Sequence, residues 1–279
     1  MQVLEAAIAA SANPWPLRRE RALALTARYP HATEMLQLYQ RLNPLQEAAF
    51  QQAGAAGLRL EDLPAFAVER VLPAVVDVTV AKGPAPLRDG VITVFCSADL
   101  VNLVQRWLDQ QAMTPFETYV ARASASPLLE ALTPSPSASN QQSPSSLVDE
   151  GQDGGSVTHC PACGGLPQLS YFAISGEQLV SGPRYLVCSR CSHAWVFSRM
   201  TCAVCGESNG ARLPIYQEED RFPHARIDGC RSCGRYLLTF DLRRDNGTVP
   251  LVDELACLPL DLYARDQGLT KITPNLMGS

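Results

Sequence analysis

Four Cys-x-x-Cys pairs occupy the second half of this chain, and the last two pairs repeat the first two at a constant offset of 42 residues, as from Cys160 to Cys202. An internal repeat at a fixed offset indicates a duplicated structural unit. Each copy carries four thiols, the number that fills one tetrahedral metal site. The sequence therefore predicts two tandem modules with one metal ion each. The predicted ligands are Cys160, Cys163, Cys188 and Cys191 in the first module, and Cys202, Cys205, Cys230 and Cys233 in the second.

The residues around the cysteines favour metal binding. In a metal-binding knuckle, backbone N–H groups face the sulfurs across a tight turn, and glycine after the second cysteine relieves crowding there. Glycine follows three of the four pairs, and only Cys191 is followed by another residue, Ser192. Structural disulfides would need an oxidising compartment, and a redox Cys-x-x-Cys typically occurs once, at a helix start. Metal ligation is therefore the preferred interpretation.

The sequence favours one way of pairing the four Cys-x-x-Cys knuckles but does not identify the metal. Both copies of the repeat have the same inner spacing, which favours sequential pairing, with each copy holding its own ion. A swapped arrangement, in which Cys163 and Cys205 share one ion, stays open, as in an intertwined dimer. Four thiolates suit zinc and also a single rubredoxin-type iron, and the sequence does not separate the two metals.

Basic residues lie close to the knuckles in the sequence. These residues either compensate the thiolate charge or present a surface to a partner. The part of the chain that contains the knuckles, called the metal half here, is nearly neutral as a whole. The five arginines closest to the knuckles are Arg184, Arg190, Arg199, Arg231 and Arg235. Residues 157–247 contain ten arginines and eight acidic residues, and the full chain of 279 residues has a net charge of −5. A nucleic-acid partner is disfavoured, because such a protein would need a basic stripe.

The sequence also argues against catalysis. A closed four-sulfur site leaves no coordination position for water or substrate. No paired carboxylates, phosphate-binding loop or Ser/His/Asp constellation is evident in the sequence. Cys96 and Cys257 lie outside the repeat and are interpreted as small core residues. His159, His193 and His224 flank the knuckles and are expected to support the metal ligands or to lie on the surface.

The expected location is the cytoplasm, without stable membrane insertion. The segment from Met1 to Ile8 has no basic region typical of a secretion signal, and no segment reaches the apolar length of a membrane span. Ten cysteines in a reducing compartment are better explained by metal than by cross-links.

The predicted fold class is α+β, with a helical N-terminal domain, two tandem rubredoxin-like or zinc-ribbon modules and a C-terminal helix. Residues 133–156 are rich in Ser, Pro and Gly and cannot bury a core, so they are interpreted as a flexible linker. The predicted units are a helical domain at 1–132, the linker at 133–156, the metal modules at 157–198 and 199–247, and a C-terminal helix and tail at 248–279.

Individual elements follow from apolar spacing and from breaker residues. Val91–Phe95 is predicted as a strand from its β-branched content, with the alternative that it extends the following helix. Pro259 is expected to kink or restart the last helix. The remaining predictions are helices at 18–29, 32–53, 61–71, 97–108 and 249–267, and a strand at 237–242.

Four motifs resemble the formate dehydrogenase accessory protein family, FdhE. They are Cys160-Pro-Ala-Cys-Gly-Gly-Leu-Pro, Tyr185-Leu-Val-Cys-Ser-Arg-Cys-Ser-His-Ala-Trp, Arg199-Met-Thr-Cys-Ala-Val-Cys-Gly and Cys230-Arg-Ser-Cys-Gly-Arg-Tyr-Leu. Shorter similarities reach both ends of the chain, at Arg21-Ala22, Tyr29-Pro30, Leu38-Tyr39 and Leu45-Gln46, and from Val252 to Leu262. The 133–156 segment looks like a local expansion.

The resemblance implies a function and a metal. It implies a helical domain joined to two rubredoxin-like modules, with iron in each favoured over zinc. It also implies a non-enzymatic assembly factor that binds the catalytic subunit of a respiratory formate dehydrogenase before that subunit is exported. A rubredoxin-like electron carrier that serves the maturing enzyme is the alternative, and a homodimer stays open. Loss of one ligand is expected to unfold its own module while the helical half survives on its own core.

Overall fold

The computed structural model describes residues 13–133, 157–173 and 182–278 of the chain. Helices make up the first of these ranges, and a sheet followed by two short helices makes up the rest. The predicted flexible linker at 133–156 lies outside the described residues, except for its first residue, Thr133.

The helices of the N-terminal part pack against one another and are joined by short connections. The helix bounds are Trp15–Arg28 (α1), Thr33–Ala56 (α2), Leu63–Phe66 (α3), Leu72–Lys82 (α4), Ala85–Ser97 (α5), Leu100–Leu108 (α6), Pro115–Leu132 (α7), Pro250–Ala256 (α8) and Leu258–Asp266 (α9). One π-helical turn at Ala67–Val71 connects α3 to α4. The predicted helices at 18–29, 32–53, 61–71 and 97–108 correspond to α1, α2, the run from α3 through the π-helical turn, and α6.

Local capping explains where two of the helices begin. The Asp99 carboxylate accepts a hydrogen bond from the backbone N–H of Asn102 at the start of α6. Thr114 and Glu117 form a reciprocal capping box at the start of α7, which satisfies two otherwise unpaired backbone N–H groups. Gly57 ends α2 in the left-handed conformation, with φ of 58°.

The predicted strand at Val91–Phe95 is wrong, because these residues lie inside α5. Val91 and Val94 are three residues apart and are the two buried residues of this helix, so helical periodicity decides which side chains reach the core. Threonine often favours strands, but the Thr93 hydroxyl donates to the Asp89 carbonyl four residues earlier in the helix. This hydrogen bond satisfies the hydroxyl within α5. The alternative that the run is helical is the correct one.

One mixed sheet carries both cysteine repeats. Its strands are Pro167–Phe172 (β1), Arg184–Cys188 (β2), Ala194–Phe197 (β3), Ile215–Gln217 (β4), Ala225–Cys230 (β5), Arg235–Asp241 (β6) and Thr270–Lys271 (β7). The strand order is β3-β2-β1-β6-β5-β4, and β7 pairs with β6. Strands β1 to β3 belong to the first repeat and β4 to β6 to the second, and neighbours within each repeat are antiparallel.

The two repeats are joined through a parallel pair. Strand β1 pairs with the second half of β6, with Leu169 opposite Leu238 and Phe172 opposite Asp241. Strand β7 pairs in parallel with the first two residues of β6. Because β5 covers the other edge of β6, β1 and β7 share one edge, and the sheet runs without a break from one repeat to the other.

The C-terminal segment is helical and is held by buried ion pairs. Helix α8 ends before Cys257 and α9 restarts with Pro259 near its first position, which agrees with the expected effect of that proline. The Lys271 ammonium lies 2.8 Å from a Glu254 carboxylate oxygen and 3.0 Å from Asp261. Removing one partner from such a buried group would leave an uncompensated charge, so this arrangement ties β7 to both helices.

Two hydrophobic cores connect the helices to the sheet. One joins α2 and α4–α7 to Leu186, Trp195, Phe197 and Leu237 of the sheet. The other joins α1, α2, α8 and α9 to sheet residues such as Ile227 and Phe240. The predicted α+β class, with a helical N-terminal part, two four-cysteine modules and a helical C-terminal segment, is confirmed. Within the described residues, no helix combines the length and apolar composition that crossing a membrane requires.

Candidate metal centres

Each cluster of cysteines is built from one loop and one hairpin. In the first repeat, Cys160 and Cys163 lie on the turn before β1, whereas Cys188 ends β2 and Cys191 lies on the β2–β3 turn. The second repeat uses the same plan, with one pair on the turn before β4 and the other pair at the β5–β6 hairpin. The hairpin register thus places two thiols opposite the two that the loop supplies.

The sulfurs meet in two separate groups of four. Cluster 1 contains Cys160, Cys163, Cys188 and Cys191, and cluster 2 contains Cys202, Cys205, Cys230 and Cys233. Within each group the sulfurs lie within 4.8 Å of one another. This is the sequential grouping that the repeat predicts, and Cys163 and Cys205 belong to different clusters.

The spacing of the sulfurs fits a tetrahedral ion. In cluster 1, Sγ of Cys160 is 3.7 Å from Cys191, and Sγ of Cys163 is 3.4 Å from Cys188. In cluster 2 the two corresponding distances are both 3.7 Å. A regular tetrahedron with zinc–sulfur bonds of about 2.3 Å has edges of roughly 3.8 Å. Each cluster can therefore hold one metal ion, and iron fits the same donor set.

Left-handed residues shape the knuckle turns. Gly164, Gly206 and Gly234 follow the second cysteine of their pairs and have φ between 67° and 73°. Ser192, the one departure from glycine in the sequence, adopts the same region with φ of 57°. This turn brings backbone N–H groups to the sulfurs, as with Arg190 N and Cys188 Sγ at 3.4 Å.

The thiols of cluster 1 influence one another's ionisation strongly. Hydrogen bonds with Cys163, Cys188 and Cys191 lower the pKa of Cys160 far below its usual range. Hydrogen bonding to Cys160 raises the pKa of Cys191 well above that range. The first thiolate is therefore stabilised by its neighbours, whereas the later ones lack a countercharge. A divalent cation would supply that countercharge.

Burial and backbone dipoles act on cluster 2. Burial raises the pKa of Cys202. Burial acts the same way on Cys230, but hydrogen bonds from the backbone N–H groups of Cys233 and Ser232 outweigh it and lower the pKa of Cys230. The backbone N–H groups therefore favour the thiolate form of Cys230, which is the form that binds a metal.

Cluster 1 is enclosed by the helices. Cys160, Cys188 and Cys191 belong to the same hydrophobic core as α4–α7. Arg190 is buried, donates to the carbonyl oxygen of Leu108 at 2.7 Å, and lies over the Trp107 ring with its guanidinium carbon 5.0 Å from the ring centroid. The expectation that the helical half has a core of its own therefore needs correction, because that core includes three of these four cysteines.

Cluster 2 lies beside solvent. Cys205 is exposed and Cys233 is half-buried, and none of the four cysteines of this cluster belongs to either hydrophobic core that the described residues form. Cys202 and Cys230 line a cavity of about 220 Å³ at the seam between the two repeats. The repeat therefore produces two equal ligand sets in unequal surroundings.

The cysteines and histidines outside the two clusters divide between buried, half-buried and exposed positions. Cys257 is buried as expected, whereas Cys96 is exposed on α5, so its interpretation as a core residue is wrong. His224 is buried away from the knuckles and lies 3.1 Å from the carboxylate of Asp253. His159 is exposed and His193 is half-buried beside cluster 1, where its carbonyl accepts from the N–H of Cys188.

Sequence reasoning missed two residues that surround the clusters. Trp107 covers Arg190 beside cluster 1, although it precedes Cys160 by more than 50 residues in the chain. Phe172 ends β1 and lies under the guanidinium groups of Arg199 and Arg226. Both are aromatic residues in amphipathic elements, and that pattern alone indicates a core position. No local signal distinguishes them.

Two family models match the metal half of the chain. The model described as FdhE, central domain, matches residues 159–199, and the model described as FdhE, C-terminal domain, matches residues 200–277. All eight clustered cysteines lie within these two matches. The residues before 159 lie outside both.

Similar proteins carry the same family name. The protein FdhE homolog of Aquifex aeolicus is 33% identical over 120 residues, which cover 43% of this chain and 41% of that protein. The protein FdhE homolog of Pseudomonas aeruginosa is 36% identical over 125 residues, covering 44% of this chain and 40% of the relative. The matched part of the chain thus spans about two fifths of the length of these relatives.

A solved structure extends the similarity of fold to the helical half. The crystal structure of the FdhE protein from Pseudomonas aeruginosa superposes with a TM-score of 0.62 and covers 96% of both chains. The identity over that superposition is 22%, so it shows that the fold is shared. The shared fold therefore includes the helices before residue 159 as well as the two cysteine modules.

Proposed function

We propose that this chain, whose residues 159–277 match the two FdhE domain models, is an accessory protein of a formate dehydrogenase. In this role it binds the catalytic subunit of the enzyme in the cytoplasm, during maturation and before export. The observation that carries the proposal is the pair of consecutive FdhE matches over residues 159–277, which include all eight clustered cysteines.

The proposed role is binding and not catalysis. Each cluster offers four sulfurs, so a metal held by all of them has no free position for water or substrate. The helices and the sheet share two hydrophobic cores, which gives a rigid surface on which a client protein can dock. A nucleic-acid partner is not proposed, because the metal half has nearly equal numbers of basic and acidic residues.

The eight cysteines are proposed to hold two metal ions. Cys160, Cys163, Cys188 and Cys191 would bind one ion, and the four cysteines of cluster 2 would bind the other. Such an ion stabilises the fold, because its thiolate ligands are deprotonated and gathered only in the folded chain. The family resemblance favours iron, and zinc fits the same sulfur spacing.

A pull-down from native cells under anaerobic conditions tests the proposal directly. The tagged full-length chain is expected to recover the catalytic subunit of formate dehydrogenase, and metal analysis of the eluate is expected to give two ions per chain. The control is a tagged protein that is unrelated to FdhE and has four-cysteine zinc sites, and it measures how much of the client is captured by metal sites in general. Failure to recover the catalytic subunit, together with normal formate dehydrogenase activity in a strain lacking this chain, would contradict the proposal.

The exposure of cluster 2 favours an electron carrier as the second candidate. Cys205 is exposed, so an iron ion in this cluster would lie near the surface, where electrons can pass to a partner. A carrier must cycle its metal between two oxidation states, and zinc has one. We expect zinc-substituted protein to bind the catalytic subunit and still support its maturation. If binding persists while maturation is lost, the electron carrier is the correct function.

A further inference from the structure

A cavity at the seam between the two repeats has no role in the proposed function. It has a volume of about 220 Å³ and opens beside cluster 2. The first repeat contributes Phe172 and Arg184 to its wall, the second contributes Arg226 and Asp228, and Arg199 lies at the junction between them. Because liquid water occupies about 30 Å³ per molecule, the cavity has room for a small organic molecule.

Several guanidinium groups line this cavity and share partners there. Arg199 and Arg226 lie over the Phe172 ring, with their guanidinium carbons 4.9 Å and 4.8 Å from its centroid. The Arg184 side chain is 3% exposed and lies 3.2 Å from Asp228. Arg226 shares that carboxylate, with its Nε 2.8 Å from Asp228 Oδ1. Two of the cations therefore depend on one anionic side chain.

Arg199 keeps most of its hydrogen-bonding capacity. A guanidinium has five N–H donors. In the part of the chain that the structure describes, Arg199 donates to the carbonyl oxygen of Gly182, and no carboxylate pairs with it. The residue is half-buried, so its remaining donors lie in a site where water is partly excluded. A charged group of opposite sign is the natural partner of such donors.

The charges around the cavity do not balance. Four arginines line it, and Asp228 is the one carboxylate among the described lining residues. Four thiolates around a divalent ion in cluster 2 would add two negative charges. Even with that ion bound, the described lining residues keep a formal excess of one positive charge. Burial lowers the pKa of Arg184.

Apolar side chains make up much of the remaining lining. Leu213, Pro214 and Ile215 line the cavity from the segment that leads into β4, and Met200 and Ile272 also line it. Ile215 and Met200 are more than half exposed, with 52% and 58% of their surfaces accessible. A lining that combines cationic and apolar groups is complementary to a molecule that has an apolar body and an anionic end.

We propose that this cavity binds a carboxylate carried on an apolar body, with Arg199 and Arg226 holding the carboxylate and Ile215 contacting the body. A single carboxylate neutralises the one excess charge of the lining. Arginine pairs with a carboxylate through two parallel N–H···O bonds, which fixes the orientation of the ligand. Such a carboxylate can belong to a free organic acid or to the C-terminus of a peptide.

Calorimetric titration of the metal-loaded, full-length protein tests this site. N-acetyl-leucine represents a peptide C-terminus, hexanoate represents a free acid, and N-acetyl-leucinamide has the same body as the first probe without the charge. We expect saturable binding of the acids, and the tighter of the two identifies the source of the ligand. The amide is expected to bind at least about tenfold more weakly, because the charge-assisted hydrogen bonds are lost.

Matched variants assign the binding to the cavity. Arg199→Gln is expected to weaken binding of the acids about tenfold or more. Arg243→Gln is the control, because Arg243 lies over the same Phe172 ring at 5.9 Å and pairs with Asp241 but does not line the cavity. Metal content and circular dichroism report whether each variant is folded.

A second pair of variants does not depend on the arginines. Ile215 lies at the exposed rim, so Ile215→Glu is expected to keep the fold and to repel the carboxylate, whereas Ile215→Gln is the uncharged control. The proposal is overturned if the wild-type protein shows no saturable binding of either acid, or if the amide binds as tightly as the acid. Equal losses in Arg199→Gln and Arg243→Gln, or in the two Ile215 variants, would also overturn it.

Discussion

The two cysteine clusters have the same ligands at the same spacing, yet they occupy different environments. Three cysteines of cluster 1 belong to the hydrophobic core that also contains α4–α7. In cluster 2, Cys205 is exposed, and Cys202 and Cys230 border the cavity at the seam. The comparison shows that duplication of a ligand motif does not duplicate its surroundings, because these depend on what packs against the motif.

The residue two positions after the third cysteine differs between the repeats. It is Arg190 in the first repeat and Ser232 in the second. Arg190 reaches the helices at Leu108, whereas Ser232 makes a 2.5 Å hydrogen bond to Glu207 inside its own module. Cluster 1 is thus attached to the helical half, and cluster 2 is not attached in this way.

The largest expected effect comes from removing equivalent ligands in the two clusters. Cys191→Ser should release one metal ion and expose α6 and α7 to hydrogen exchange, because Cys191 lies in their core. Cys233→Ser should release the other ion while those helices stay protected. Metal binding contributes about 10 kcal/mol or more to folding of small structural sites, so both losses should be easy to measure.

Hydrogen exchange with mass spectrometry, together with metal analysis, separates the two variants of this pair. Equal protection of α6 and α7 in both variants would show that the burial of cluster 1 has no energetic consequence for the helices. Two metal ions retained in either variant would remove that cysteine from the proposed ligand set.

The next effect concerns the contact between Arg190 and the helices. Arg190→Ala should lower the free energy of unfolding by about 3 kcal/mol, because it removes a charged hydrogen bond to Leu108 and the stacking on Trp107. Ser232→Ala is the matched control and should cost less than about 1 kcal/mol, since Ser232 is exposed. Denaturant unfolding measures both values. Similar losses in the two variants would contradict the assigned difference.

A smaller effect is expected in the rate at which a chelator removes the metals. Cluster 2 should lose its ion at least about tenfold faster than cluster 1, because tenfold requires only about 1.4 kcal/mol less free energy for local opening. A colorimetric chelator follows the release in the wild-type protein, and Cys233→Ser identifies which phase belongs to which cluster. Release of both ions in one phase would mean that the clusters open together.

The smallest expected effect is the pH dependence of an ion pair between the helices and the second repeat. Burial acts against ionisation of Asp245, but the Arg21 guanidinium at 2.8 Å outweighs it and lowers the pKa of that carboxyl. A folded-state pKa below the unfolded value of about 3.9 stabilises the protein above that pH. The contribution is lost as the pH falls through the folded-state pKa.

Asp245→Asn should therefore cost about 1 kcal/mol at neutral pH and close to nothing in strong acid. Unfolding curves of the wild-type protein and the variant across this pH range measure the difference. A constant difference at all pH values would show that Asp245 acts through its shape or hydrogen bonds, and not through its charge.

Much of the fold could be predicted from local sequence, and the failures have physical causes. The predicted strand at 237–242 corresponds to β6, and the helix predicted at 32–53 corresponds to α2. The strand predicted at Val91–Phe95 failed because burial of Val91 and Val94 on one helical face outweighs β-branched preference. Helix α7 was missed, although the Thr114–Glu117 capping box marks its start.

The candidate site divides in the same way. The grouping of the thiols into two sets followed from the repeat, and their assignment as metal ligands stays a prediction. Three of the cavity's arginines, Arg184, Arg199 and Arg235, were singled out in the sequence by their proximity to the knuckles. The cavity itself could not be predicted, because Phe172 and Arg226 meet only across the junction between the repeats. The exposed position of Cys96 also had no local signal, since both faces of α5 carry apolar residues.

The sequence by itself predicted two clusters of four thiols and favoured the sequential grouping, which the structure then showed. The contacts between the thiols join residues of the same repeat, because one knuckle and one hairpin of that repeat bring the four sulfurs together. The tertiary structure alone decided which cluster is enclosed, through contacts such as that of Arg190 with Leu108. It also decided that β1 pairs with β6, which places the cavity between the repeats. These contacts join residues far apart in the chain, and their stability depends on the packing of the whole molecule.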